Sequence, residues 1–202
     1  MALSAALPDL TLRSVDASWN RARWEQLPDD GKRYEVIDGV LYMTTAPSNF
    51  HQWIVQEIYV TLRRQINDSG VGFTFLAPIG VFIPGCDPVQ PDVVVVRATD
   101  RGMLQERHIF GVPALLVEVL SPSNAEQDTR VKRAAYARAS VPEYWMVRPA
   151  TRDVVVCSRP DVASGEYLRS DYVAPDGELV SPTLPVRAAV TTFFAGAPDT
   201  TL

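Results

Sequence analysis

The sequence predicts an α/β (α+β) domain in which a mixed central β-sheet is flanked by helices. Three observations carry this. Residues 49–67 repeat their apolar positions at three and four residues, the period of an amphipathic helix. Between Gly72 and Val96 the pattern changes to short β-branched runs cut by prolines and glycines. After "PALLVEVLSPS" a second helical stretch is followed by two further strand-like runs, an alternation that gives a layered α and β arrangement.

Taken in order, residues 1–17 read as a loosely held arm, and residues 18–202 as one domain, the size expected for a chain of 202 residues. "SWNRARWEQLPDDGK" predicts a short helix from about Ser18, as N-cap, to Leu27, stopped by Pro28 and the Asp-Asp-Gly turn. "RYEVIDGVLYMTT" predicts two strands joined at Asp38-Gly39, a type I′ hairpin signal. "APSNFHQWIVQEIYVTLRRQIND" predicts a helix capped by Ser48 and ended by Gly70, with Trp53, Ile54, Ile58, Leu62 and Ile66 on its apolar face. "GFTFLAP", "IGVFIP" and "PDVVVV" are strands. "SNAEQDTRVKRAAYARAS" is a helix, and "EYWMV" and "RDVVVCSR" are strands. "GEYLRS" and "SPTLP" suggest one or two edge strands before a short closing helix near Thr191–Phe194.

Bulk properties narrow the function. A net charge of −5 excludes a histone-like coat on nucleic acid but leaves room for an enzyme that meets phosphates through a local site. Cys86 and Cys157 stand far apart, and with His51 and His108 as the two histidines, neither a disulfide framework nor a zinc site is indicated. The first residues lack a basic n-region and a long apolar core, and no run of eighteen apolar residues occurs, so a cytoplasmic protein is expected.

The chemistry begins with Glu118, a carboxylate in a run with no other charge, on a strand that reads as buried on both faces. A lone buried carboxylate costs several kcal/mol, so Glu118 must be neutralised, paired with a lysine or arginine, or bound to a cation. Asp92 opens a run of four valines that also looks central. An Asp before a strand can equally be a turn former. Together the two carboxylates could share one hard divalent ion, because neighbouring strands lie roughly 5 Å apart and Mg²⁺ prefers oxygen ligands. On the following helix, Asp128, Lys132 and Tyr136 recur at four-residue intervals beside Val131, Ala135 and Ala139. Lys132 therefore borders the face that packs on the sheet, with a stem long enough to carry its ammonium to the strand ends. The alternative is an Asp128–Lys132 ion pair at the surface.

These residues resemble a known family. Pro91-Asp92 before an apolar strand, then an apolar strand carrying Glu, is similar to the PD-(D/E)XK phosphodiesterase superfamily. "YEVIDGVLYMTTAPSNFHQ", "QPDVVVV" and "LLVEVLSPSNAEQDTRVKRAAYARASVPEYWMVRP" resemble more narrowly the Uma family of putative restriction endonucleases, also known under an older domain-of-unknown-function label. The resemblance runs from about Trp24 to Val156, and its specific part is Leu115 to Pro149. It implies a restriction-endonuclease-like core in which Asp92 and Glu118 ligate Mg²⁺, or Mn²⁺ in its place, with the Val119 carbonyl nearby. The parent motif has a lysine two positions after the glutamate. Leu120 stands there, and the resemblance suggests that Lys132 takes over from the next helix.

Glu35 and His51 match recurrent positions of the family and join the candidate catalytic set of Asp92, Glu118 and Lys132. Glu35 could equally be a partly exposed hairpin carboxylate, and His51 could serve its helix N-terminus. Tyr136 and Trp145 read as packing. The function expected is metal-dependent hydrolysis of DNA phosphodiesters, with arginines 63, 64, 130, 133 and 138 either meeting phosphates or lying on solvated helix faces. A homodimer would suit cleavage of two strands. The competing reading is a catalytically inactive nuclease fold kept for binding or regulation, motivated by Leu120.

Overall fold

The computed structural model describes residues 12–44, 46–121 and 125–197. Leu12–Arg13 (β1) pairs with Val40–Thr44 (β3), which returns from Arg33–Ile37 (β2) through Asp38 and Gly39. Both turn residues have positive φ, +49° and +78°, as a type I′ turn requires. The hairpin also holds the chain before it, since the Trp19 N–H donates to the Gly39 carbonyl. The end of the expected arm is thus an edge strand from residue 12; residues 1–11 lie outside the described residues.

The first helix is shorter than expected, Arg21–Trp24 (α1), and its N-cap is Asn20 rather than Ser18. Asn20 Oδ1 accepts from the Arg23 N–H, whereas the Ser18 hydroxyl and N–H are engaged by the Asp16 carboxylate. Asn49–Ile66 (α2) matches its periodicity, and Ser48 Oγ accepts from the His51 N–H at 3.2 Å.

The strands then follow as Gly72–Leu76 (β4), Gly80–Ile83 (β5), Cys86–Val89 (β6), Val93–Arg97 (β7), His108–Phe110 (β8) and Leu115–Val119 (β9). Beyond the last helix come Glu143–Arg148 (β10), Asp153–Asp161 (β11), Glu166–Val173 (β12), Glu178–Val180 (β13) and Arg187–Ala189 (β14), and a 3₁₀ turn at Val190–Phe193. Two six-stranded sheets result, not one: β1-β3-β2-β6-β5-β8 and β12-β11-β10-β9-β7-β4, with β13-β14 as a separate pair. Both large sheets are mixed, because β9 runs parallel to β10 and β5 parallel to β8 among otherwise antiparallel pairs.

Strands β7 and β9 lie inside the second sheet and are covered on both faces, which is why their sequences are nearly continuous apolar runs. Val93, Val95, Leu115 and Val117 pack with Ile54, Ile58 and Leu62 of α2. Val94, Val96 and Leu116 pack toward Val81 and Val89 of the first sheet, together with Ala135 and Tyr136. The second core therefore fills the space between the two sheets, and the polar cluster described below belongs to that side.

The helix after β9 departs from the expected α-geometry. Its predicted beginning at 123–124 lies outside the described residues. Residues Gln127–Lys132 form a π-helical turn, and Arg133–Arg138 (α3) continues it as an α-helix. In i→i+5 geometry, residues five apart come into line, so Gln127 and Lys132 share a face that α-helical spacing would separate. Gln127, Asp128 and Lys132 are all buried.

Candidate active site

Val93 pairs with Val117 in antiparallel register, so the next residues along each strand, Asp92 and Glu118, fall opposite one another on the same side of the sheet. Leu116 and Met146 flank Glu118 on that face. Glu35 arrives from β2 of the facing sheet, His51 from the first turn of α2, and Lys132 from the π-turn. All five expected residues are buried, and the structure brings all five into one connected cluster.

Two cationic centres organise it. The Lys132 ammonium lies 2.8 Å from Glu118 Oε1, 3.0 Å from Glu35 Oε1 and 3.4 Å from Asp128 Oδ1. Tyr136 donates its hydroxyl to the same Glu118 oxygen at 3.0 Å, so its role exceeds the packing expected of it. Arg33 lies 3.2 Å from Asp92 Oδ1 and also donates to the Gln90 carbonyl. Asp92 Oδ2 accepts from the Val119 N–H at 2.9 Å and stands 3.2 Å from His51 Nε2, a contact that places a proton on that nitrogen. Glu35 is held by the Gln90 N–H at 2.7 Å and the Gln127 amide at 3.2 Å. The bland alternative for Lys132, a solvated pair with Asp128, does not hold: both are buried, and the lysine bridges three carboxylates.

The ionisation of the cluster follows from burial and crowding. Burial alone would raise the pKa of Asp92, but the His51 contact and the Arg33 charge outweigh it and hold Asp92 well below the usual carboxylate range. Glu118 goes the other way: burial raises it far above an ordinary glutamate, Lys132 opposes this, and the neighbouring carboxylates add to it. Asp128 is pushed up to about 6 by burial, again against Lys132. Burial disfavours the lysine's charge, yet Glu118, Glu35 and Asp128 together raise its pKa well above normal. Four carboxylates thus face two fixed cations, Arg33 and Lys132, which leaves two negative charges unmatched when all four are ionised.

The donor chemistry suits a hard divalent ion. Asp92 and Glu118 offer carboxylate oxygens, and Mg²⁺ commonly takes one or two carboxylates and completes its shell with water. One buried oxygen nearby, Gln127 Oε1, accepts no hydrogen bond. Among the described residues, no three His, Cys, Asp or Glu side chains stand at metal-ligand spacing, so any ion would rest on the two strand carboxylates and few other side chains.

A family model, Uma2, described as "Putative restriction endonuclease", matches residues 21–192. The chain belongs to the Uma2 family. Its fold is similar to the crystal structure of a putative nuclease belonging to DUF820 from Anabaena variabilis, with a TM-score of 0.73 and 16% sequence identity over 87% of this chain and 97% of that one. No curated protein matches the chain. The expected restriction-endonuclease-like fold is therefore the fold of this Uma2 protein. No helix among the described residues is long and apolar enough to cross a membrane.

Three site residues escape the sequence reading. Arg33 and Gln90 each stand two positions before an expected site residue, Glu35 and Asp92, and period-2 alternation could have found both. Gln127 joins the site through the π-turn, which leaves no mark in the apolar pattern. Three of the arginines considered for phosphates are engaged by carboxylates: Arg130 meets Glu126, Arg133 meets Glu166 and Arg138 meets Asp38.

Proposed function

We propose that this Uma2 protein is a metal-dependent endonuclease that hydrolyses DNA phosphodiester bonds. The observation that carries the reading is the excess of carboxylate over fixed cation around Asp92 and Glu118, on the strands where its family resemblance expects a divalent ion. Asp92, Glu118 and the Val119 carbonyl would hold Mg²⁺, or Mn²⁺ in its place. The ion would polarise the phosphate and lower the pKa of a bound water.

The chain's own residues divide the remaining work. Lys132 carries its charge beside Glu118 although Leu120 occupies the motif position, and an ammonium there can offset charge developing on the phosphate. Arg33 and His51 fix the orientation of Asp92, and Tyr136 fixes that of Glu118. Glu35 anchors Lys132 against the facing sheet. A homodimer in the cytoplasm would let two such sites address two strands.

The test is nicking of supercoiled plasmid by purified protein with and without Mg²⁺. Nicking should require the ion and fall at least about a hundredfold in Asp92→Asn and in Glu118→Gln, the scale at which removing transition-state stabilisation is felt. Equal nicking by Glu118→Gln would refute the reading. One observation favours a second reading, an inactive nuclease fold used for binding: Lys132 and Tyr136 already satisfy Glu118 Oε1 without an ion. That reading predicts no nicking and no rise in thermal stability on adding Mg²⁺.

A further inference from the structure

A cleft of about 740 Å³ opens beside the carboxylate cluster, between the segment around α1, the β2–β3 hairpin and the approach to β8. Its volume lies in the range of sites that hold a compact ligand. Arg33 and Gln90 form its inner wall, and these two residues also touch Asp92 and Glu35, so the cleft ends one side chain away from the candidate site. Its lining combines three kinds of group. Trp24 and Tyr34 are half-buried aromatic rings. Arg107 is exposed at the rim and has no ion-pair partner among the described residues, while Glu25 and Lys32 of the same rim are already engaged by Arg21 and Asp30. Thr44 is more than nine-tenths buried, and its hydroxyl has no hydrogen-bond partner; His108 is half-buried, and its Nδ1 also has none.

Buried polar atoms without partners are uncommon and mark places where a ligand can complete them. Aromatic rings, neutral hydrogen-bonding groups and an unpaired cation at the rim are the set that accepts an unstacked nucleobase with its phosphate. A paired base inside a duplex has both faces stacked and its pairing edge occupied, so it could not use these groups. We infer that the cleft binds one unpaired nucleotide of a single-stranded DNA segment, next to the phosphate presented to Asp92 and Glu118. This rests on the nuclease reading for the identity of the neighbouring site and deepens it by naming the substrate class.

The test measures binding by fluorescence anisotropy of a labelled twelve-nucleotide single strand and of the same sequence as a duplex, without divalent ions. The proteins are the wild type, Thr44→Val and Arg107→Ala. The single strand should bind at least about tenfold tighter than the duplex. Arg107→Ala should weaken it about fivefold with a shallower salt dependence, and Thr44→Val severalfold, the range expected for a lost phosphate contact and a lost base contact. Both variants should keep the wild-type response of thermal stability to Mg²⁺. Equal affinity for duplex and single strand, or wild-type affinity in both variants, would overturn the cleft assignment even if Mg²⁺ stabilises the protein. Cleft-dependent binding of the single strand with no Mg²⁺ response and no nicking would instead sustain the cleft and refute the nuclease reading.

Discussion

Replacing Lys132 with methionine removes the cation at the centre of the cluster while keeping the length of the stem. The ammonium lies 2.8, 3.0 and 3.4 Å from oxygens of Glu118, Glu35 and Asp128, and all four side chains are at most 4% exposed. Removing one partner of a buried ion pair costs about 3–5 kcal/mol, because the remaining charge is left uncompensated. At a urea dependence of about 2 kcal/mol per molar, this lowers the unfolding midpoint by about 1.5–2.5 M at pH 8. The loss should shrink at pH 5. Glu118 and Asp128 already bind protons more tightly than ordinary carboxylates, and without the lysine they take them up more readily still, which relieves the repulsion. The assay is urea unfolding of metal-free wild type and variant at both pH values, with Lys132→Met/Glu118→Gln as the compensated pair. A loss below about 1 kcal/mol at pH 8, or one that ignores pH, would show that the ammonium does not hold these carboxylates together.

Three further outcomes follow from the same contacts. Asp128 has a folded pKa of about 6 against an ordinary 3.8, so it weakens the fold as pH rises through that window; Asp128→Asn should stabilise the metal-free protein by about 1–3 kcal/mol above pH 6 and leave it unchanged below pH 4, measured by urea unfolding across pH. Tyr136→Phe removes the hydroxyl donated to Glu118 and should cost about 1.5–3 kcal/mol, whereas a ring present only for packing would cost almost nothing. Gly39→Ala would set a Cβ 2.2 Å from the Ala17 carbonyl at a φ of +78°; thermal unfolding should show a loss of about 2 kcal/mol or more, and a neutral result would mean that the chain before α1 does not dock on the hairpin.

Much of this architecture is legible in the sequence because burial leaves a period. The apolar spacing of α2, the Asp38-Gly39 turn and the valine-rich β7 follow directly from side-chain direction. Glu118 was legible for a different reason: an isolated charge in a doubly covered strand has to be explained. What escaped was set by contacts between distant segments. Cys86–Val89 reads as loop punctuation because it contains Pro88, yet it is a strand linking β2 to β5. Division into two sheets depends on which strands pair, and local pattern does not encode that. Arg33 is an ordinary surface arginine by sequence and becomes the partner of Asp92 only when β2 of one sheet faces β7 of the other. The π-turn is also absent from the local pattern: its sequence reads as regular α, yet the turn buries Gln127, Asp128 and Lys132 together.

The proposed function rests on Asp92 and Glu118 together holding a divalent ion. Anomalous scattering from a crystal soaked in Mn²⁺ tests it most directly. One strong peak is expected roughly 2.0–2.4 Å from carboxylate oxygens of both residues, lost in Glu118→Gln. A soaked crystal with no peak at these strands, or with Mn²⁺ bound only elsewhere while Lys132 and Arg33 keep the carboxylates to themselves, would contradict it.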